Sequence, residues 1–113
     1  LLGHWSVWNR AAAELQKRCA SVTGAIPAEL LALDAAVTEM NAAVFDVAHD
    51  FHGVIAGCHE ILRRQGLLEG IWCLDDHETL SPGQAELLTA VAERYPHLTD
   101  DAFVAANLHR WLS

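Results

Sequence analysis

The sequence predicts an all-α fold of four or five helices, and three observations carry that expectation. Apolar residues recur at helical spacing through most of the chain, no stretch alternates apolar and polar residues as a half-buried strand would, and helix start and stop signals punctuate the pattern. A first amphipathic helix is expected over about 2–22, where Trp5, Trp8, Leu15, Cys19 and Val22 share a face and Thr23-Gly24 offers a left-handed stop. Helical composition resumes after Pro27, a residue favoured at the first helical position, and continues without an internal proline to Gly66. Unbroken, that stretch would measure about 57 Å at 1.5 Å per residue, so a kink or break is expected near Gly53 and Gly57 or near Asp34.

Residues 69–80 read as an extended apolar segment. Their core, Ile71-Trp72-Cys73-Leu74, has no helical stripe and is too apolar for a free loop, so a groove on some larger body is expected to hold it. Ser81-Pro82-Gly83-Gln84 then combines a serine N-cap, a proline at the first helical position and a glutamine placed to bond back to the cap, which predicts a helix over 82–94. Tyr95-Pro96 ends it, because the residue before a proline is pushed out of the helical region. Thr99-Asp100-Asp101 caps a last helix over 100–112, with Phe103, Val104, Leu108, Trp111 and Leu112 as its apolar stripe.

Composition narrows the function classes. The 113 residues suffice for one domain and are too few for an eight-stranded α/β barrel. Hydrophobic residues make up 52%, and with seven glycines the share reaches about 58%, above the roughly 45–50% of an ordinary soluble domain. A body this small cannot bury all of that, so part of its surface is expected to be covered from outside. The net charge of −8 repels phosphate backbones and anionic lipid, which argues against nucleic-acid and membrane-surface partners. A membrane span is not expected either, because Asp46, His49, Asp50 and His52 interrupt the most apolar stretch. Cys19, Cys58 and Cys73 are odd in number and widely spaced, with no leader before them, the pattern of reduced cytoplasmic thiols.

The densest candidate for chemistry runs from Phe45 to Glu60. On a continuous helix Asp46, His49, Asp50 and Gly53 would share one face, and Asp46-x-x-His49 has the spacing that sets a carboxylate and an imidazole against one metal ion. Carboxylate-bridged di-metal bundles need a second copy of that motif, which the chain lacks. No metal is therefore expected, with Asp46, His49 and Asp50 as the residues that would hold one. His52 and His59 lie about 10 Å apart along a helix axis, too far to share an ion. Gly53 and Gly57 allow another backbone to approach closely. With Phe51, Ile55, Trp72 and Trp111 they make up the expected packing or interface set. Asp75-Asp76-His77-Glu78 reads as a solvated turn, Cys58 points about 100° away from His59, and Lys17 sits on the surface, so no catalytic residue and no cofactor are assigned.

The chain resembles the C-terminal end of proteins in the dihydrodipicolinate synthase and N-acetylneuraminate lyase group. The segments that carry the likeness are LLGHWSVW at 1–8, NAAVFDVAHDFHGVIAGCHEILRRQGLLEGIWCLDDHETLSPGQAELL at 41–88 and YPHLTDDAFVAANLHRWL at 95–112. Gly66, the Ile71 to Leu74 segment and Leu80-Ser81 stand where that group places a helix stop, an extended segment and a serine-capped helix. Members are class I aldolase-type (β/α)8 barrels that make or break a carbon–carbon bond through a lysine imine. The resemblance implies that this chain is the C-terminal helical portion of such a lyase or aldolase, packing on the missing barrel portion of the same protein and on another subunit. The only lysine, Lys17, and the only tyrosine, Tyr95, are not strand-borne, so the imine chemistry is not carried over and whether the chain belongs to an enzyme is left open. Two alternatives stand beside this reading. One is a stand-alone helical interaction or oligomerisation module that meets a second copy; the other is a metal-binding helical protein using Asp46, His49 and Asp50.

Overall fold

The structure, a computed structural model, describes residues 6–113. Five helices form among them: α1 (Asn9–Ala20), α2 (Ala28–Phe45), α3 (Val54–Arg64), α4 (Gln84–Arg94) and α5 (Asp101–Trp111). Short 3-10 turns at Val47–His49 and Pro96–Leu98 join α2 to α3 and α4 to α5. No strand is present among the described residues, and no helix there is long and apolar enough to cross a membrane.

Helix α2 is the centre, and α3 and α4 pack on it and on each other. Its buried positions Ala36, Met40, Ala43 and Val44 follow a helical stripe. They meet Ile61 of α3, Leu88 and Val91 of α4, Leu98, and the Val7-Trp8 entry into α1. The small side chains at 36 and 43 let neighbouring helices come close, and Met40, fully buried, fills the gap between them. Arg94 and the Tyr95 hydroxyl both bond Glu39, fastening the end of α4 to the middle of α2.

The periphery is looser. The first two turns of α2 leave Leu31 exposed, and α1 buries only Ala11 and Ala12. At the start of α5, Asp100 accepts from the Arg10 amide, and the Arg10 guanidinium stands 4.5 Å over the Phe103 ring. The radius of gyration is 15.0 Å, against about 13 Å for a compact domain of this length.

Several expected boundaries move. The first helix begins after Trp8, whose positive φ of 50° breaks the chain direction, so it does not reach back to 2; residues 1–5 lie outside the described residues. It ends at Ala20, and Gly24 takes the left-handed conformation at φ 82°. The 27–66 stretch is two helices, and the break spans 46–53, beginning well before Gly53 and ending on it, with Gly57 inside α3 and Asp34 interior to α2. Asp46, Asp50 and Phe51 all adopt positive φ there. Helix α4 starts two residues later than Pro82, because Gly83 at φ 81° holds residues 81–83 in a turn. On α5 only Val104 of the expected stripe is buried; Phe103 and Trp111 pack edge to face at 5.7 Å on the outside.

One ion cluster joins α3 to α4. Glu60, buried, accepts from Arg63 Nε at 2.7 Å and Nη2 at 2.9 Å and from Arg64 Nε at 2.7 Å. Arg64 continues to Thr89 Oγ1 at 3.0 Å and the Ala85 carbonyl at 2.9 Å. The Arg63 hydrogen bonds, opposed by burial and reinforced by Arg64, hold the Glu60 carboxyl down at about 2 from its ordinary 4.5. A carboxylate with a depressed folded pKa stabilises the fold above its unfolded pKa and loses that contribution as pH falls toward the folded value. Urea denaturation from pH 7 to pH 2 is expected to show stability dropping between about pH 5 and pH 2. Glu60→Gln should flatten that drop and lower stability at pH 7 by about 1–3 kcal/mol.

Candidate functional site

The break between α2 and α3 is built around one carboxylate. Asp46 caps α2 with φ 55°, a conformation that aspartate tolerates better than most residues. Its side chain is only 3% exposed. Oδ2 accepts from the Gly53 amide at 2.9 Å, at the start of α3, and from Ser81 Oγ at 2.5 Å, at the approach to α4. Oδ1 faces His49 Nδ1 at 2.7 Å. Burial pushes this carboxyl up, but the bonds from Ser81, His49 and Gly53 together outweigh it and hold it below its ordinary value. The negative charge also sits where the N-terminal end of α3 favours it.

Gln84 completes the junction from the other side. It is 2% exposed. Its Oε1 accepts from the Ser81 amide at 3.1 Å, and its Nε2 faces the carbonyls of Gly53 at 3.0 Å, Ala43 at 3.3 Å and Val44 at 3.4 Å. The last carbonyls of a helix have no partner within it, so one glutamine from α4 satisfies the C-terminal end of α2. The glycines make room for it. A Cβ on Gly53 would lie 2.0 Å from Gln84 Oε1, and one on Gly57 would lie 2.5 Å from the Val44 carbonyl oxygen and 2.7 Å from Gln84 Nε2. Both close approaches are made by the chain's own residues.

Asp46, His49 and Gly53 therefore come together, though not on the face of a continuous helix. Asp50 is exposed, with φ 52°, and stands apart from the hydrogen bonds of the junction. Both Asp46 oxygens already accept hydrogen bonds, and among the described residues no group of three or more histidine, cysteine or carboxylate side chains is placed to hold a metal ion. Ser81, Asp46 and His49 are linked in the order hydroxyl, carboxylate, imidazole. Nucleophilic activation of a serine needs the imidazole in the middle, so Ser81 is held and not activated.

A second contact was hidden in the sequence. From Gly66 the chain turns back along α3, and Cys73 Sγ comes within 3.8 Å of His59 Nδ1. Cys58, the sequence neighbour of His59, takes no part. Burial, with Glu78 adding to it, pushes the Cys73 thiol up, which keeps it protonated at neutral pH and a poor nucleophile. Burial also raises Cys58, against a hydrogen bond from Ser6. Asp75 accepts both the His77 amide and its ring nitrogen at 2.9 Å in a fully exposed turn. Four clefts among the described residues lie along α1 and hold about 140–250 Å³ each, below the range of about 300 Å³ and up that encloses small ligands.

No family model, curated protein or solved structure matches this chain.

The contact between Gly53 and Gln84 can be read by a double-mutant cycle. Gly53→Ala alone is expected to cost about 2–4 kcal/mol in urea denaturation. In a Gln84→Ala background the same change should cost at least about 1 kcal/mol less, because the clashing amide is gone. Strictly additive costs would place the two residues out of contact. Since the Asp46 carboxyl is depressed, Asp46→Asn should remove a part of the acid sensitivity below its ordinary value of 3.8.

Proposed function

We propose that this chain is a helical docking module whose work is done by its surface and not by a catalytic centre. The observation that carries the proposal is the 69–80 strap. Its residues alternate, with Ile71 and Cys73 half-buried while Trp72 is 70% exposed and Leu74 fully exposed. Two large apolar side chains held outward on a strap, and left uncovered by the other described elements, are costly to leave in water, on the order of 1.5–3 kcal/mol each. Phe51, Ile55 and Trp111, outside the strap, are also exposed.

The polar groups with chemical potential are spent internally. Asp46, Ser81 and Gln84 satisfy helix ends, and the Cys73 thiol is protonated beside His59. The resemblance to the dihydrodipicolinate synthase and N-acetylneuraminate lyase group would make the covering body a (β/α)8 barrel of the same protein, with this chain as its C-terminal helical segment. A second copy is the other body, and the exposed Phe51, Ile55 and Trp111 outside the strap are the side chains it would suit. Three unpaired thiols fit a reducing, cytoplasmic setting.

Replacing Trp72 and Leu74 together by serine tests the reading. The double variant should unfold within about 0.5 kcal/mol of the parent, since exposed side chains contribute little to the fold, and should lose more than half of the parent's hydrophobic-dye fluorescence. A large fall in stability with unchanged dye binding would mean that both side chains are internal, and the reading would fail.

A further inference from the structure

The docking surface carries a charge pattern that narrows its occupant. No lysine or arginine lies between Arg64 and Arg94, and the strap holds Glu69, Asp75, Asp76 and Glu78 around Trp72 and Leu74. The cations on the adjoining helix α3 are engaged, since Arg63 and Arg64 both bind Glu60. His77 is paired with Asp75 and His59 faces Cys73. The strap therefore presents an apolar pair flanked along the chain by four carboxylates, with no lysine or arginine among them and His77 as the one partner, on Asp75.

The Trp72 indole is also set in place. A Cβ on Gly70 would come within 2.9 Å of its Cζ2 and 3.0 Å of its Cε2, so one ring face rests on the Gly70 backbone while the side chain stays largely exposed. An aromatic ring fixed before binding gives up little freedom when a partner stacks on it. An arginine guanidinium is suited to such a ring, because it stacks on the indole face and is attracted by neighbouring carboxylates at the same time. A second copy is a poor occupant of this particular patch. A two-fold interface would set the four carboxylates of one strap against the four of the other.

Resting on the docking reading above, we propose that the 69–78 strap receives an arginine-bearing apolar segment of a partner protein, with Trp72 as the stacking platform and Glu69, Asp75, Asp76 and Glu78 as the anionic rim. Leu74 meets the apolar side chains that alternate with the arginines.

The test uses the intact chain and three synthetic twelve-residue peptides of alternating leucine with arginine, glutamine or glutamate, followed by calorimetry and by the Trp72 indole N–H signal. The arginine peptide is expected to bind and shift that signal, to bind at least tenfold more weakly when arginine becomes glutamine, and to lose a further several-fold from 50 to 300 mM salt. Trp72→Ala should weaken it tenfold or more, and Gly70→Ala severalfold, because the added methyl lifts the indole without touching the partner. Equal binding of the glutamine peptide, still dependent on Trp72, overturns the cationic partner while leaving the docking reading intact. Failure of every peptide to shift the Trp72 signal overturns both. Dimerisation of the chain that Trp72→Ala abolishes overturns the proposal in favour of a second copy, and the peptide comparison on the parent decides even where a variant does not fold.

Discussion

Three helix ends meet at Asp46 and Gln84, and a helix end is where backbone groups run out of partners. The C-terminal carbonyls of α2, the first amides of α3 and the approach to α4 would each be left unsatisfied in a dry interior, at a cost of about 1–3 kcal/mol per group. One carboxylate and one amide side chain answer them together: Asp46 takes the Gly53 amide and the Ser81 hydroxyl, and Gln84 spans the Ser81 amide and the carbonyls at 43, 44 and 53. The two glycines at 53 and 57 are the steric condition for this arrangement, because a side chain at either would occupy the space of Gln84 or of the α2 backbone. The apolar packing of Met40, Val44, Leu88 and Val91 supplies attraction between these helices, but it has no direction of its own. The polar junction sets the angle at which they meet.

That division of labour bears on function. A buried, fully bonded Asp–Ser–Gln network rigidifies and specifies a fold, and it leaves no free acceptor or nucleophile for a substrate. The docking surface proposed above lies elsewhere, on the acidic strap that leads from α3 to the junction and carries Trp72 and Leu74. The strap ends at Ser81, which the carboxylate of Asp46 holds. The apolar side chains are thus displayed on a segment anchored at its far end and, midway, by the contact of Cys73 with His59.

How much of this was legible follows from what each feature leaves in the sequence. Helix positions showed in the apolar spacing, and Gly24 and Gly66 adopt the left-handed conformation that makes glycine a stop signal. The return of Gln84 to the Ser81 amide was readable as half of a capping box. The other half was not, because the Ser81 hydroxyl leaves its own helix for a carboxylate 35 residues away. The break was legible at its far edge, Gly53, but not where it begins at 46, since no glycine or proline marks that point. Aspartates at 46 and 50 and even Phe51 take positive φ there, and what stabilises that choice is a long-range bond with no local signature. Projection on an unbroken helix grouped Asp50 with Asp46 and His49, and the turn separates it. Cys73 and His59 were unreadable as a pair, because only the path of an irregular strap brings them together.

Native-state hydrogen exchange at the Gly53 amide tests most directly whether the junction holds the fold together. This amide donates to a buried carboxylate and belongs to no regular backbone ladder, so its protection measures the junction and not helix α3. The account predicts that it exchanges only through global unfolding, with a free energy equal to that of core amides such as Leu88 and a parallel dependence on denaturant. Exchange through a local opening, independent of denaturant and as fast as that of the exposed turn at Gly24, would contradict it.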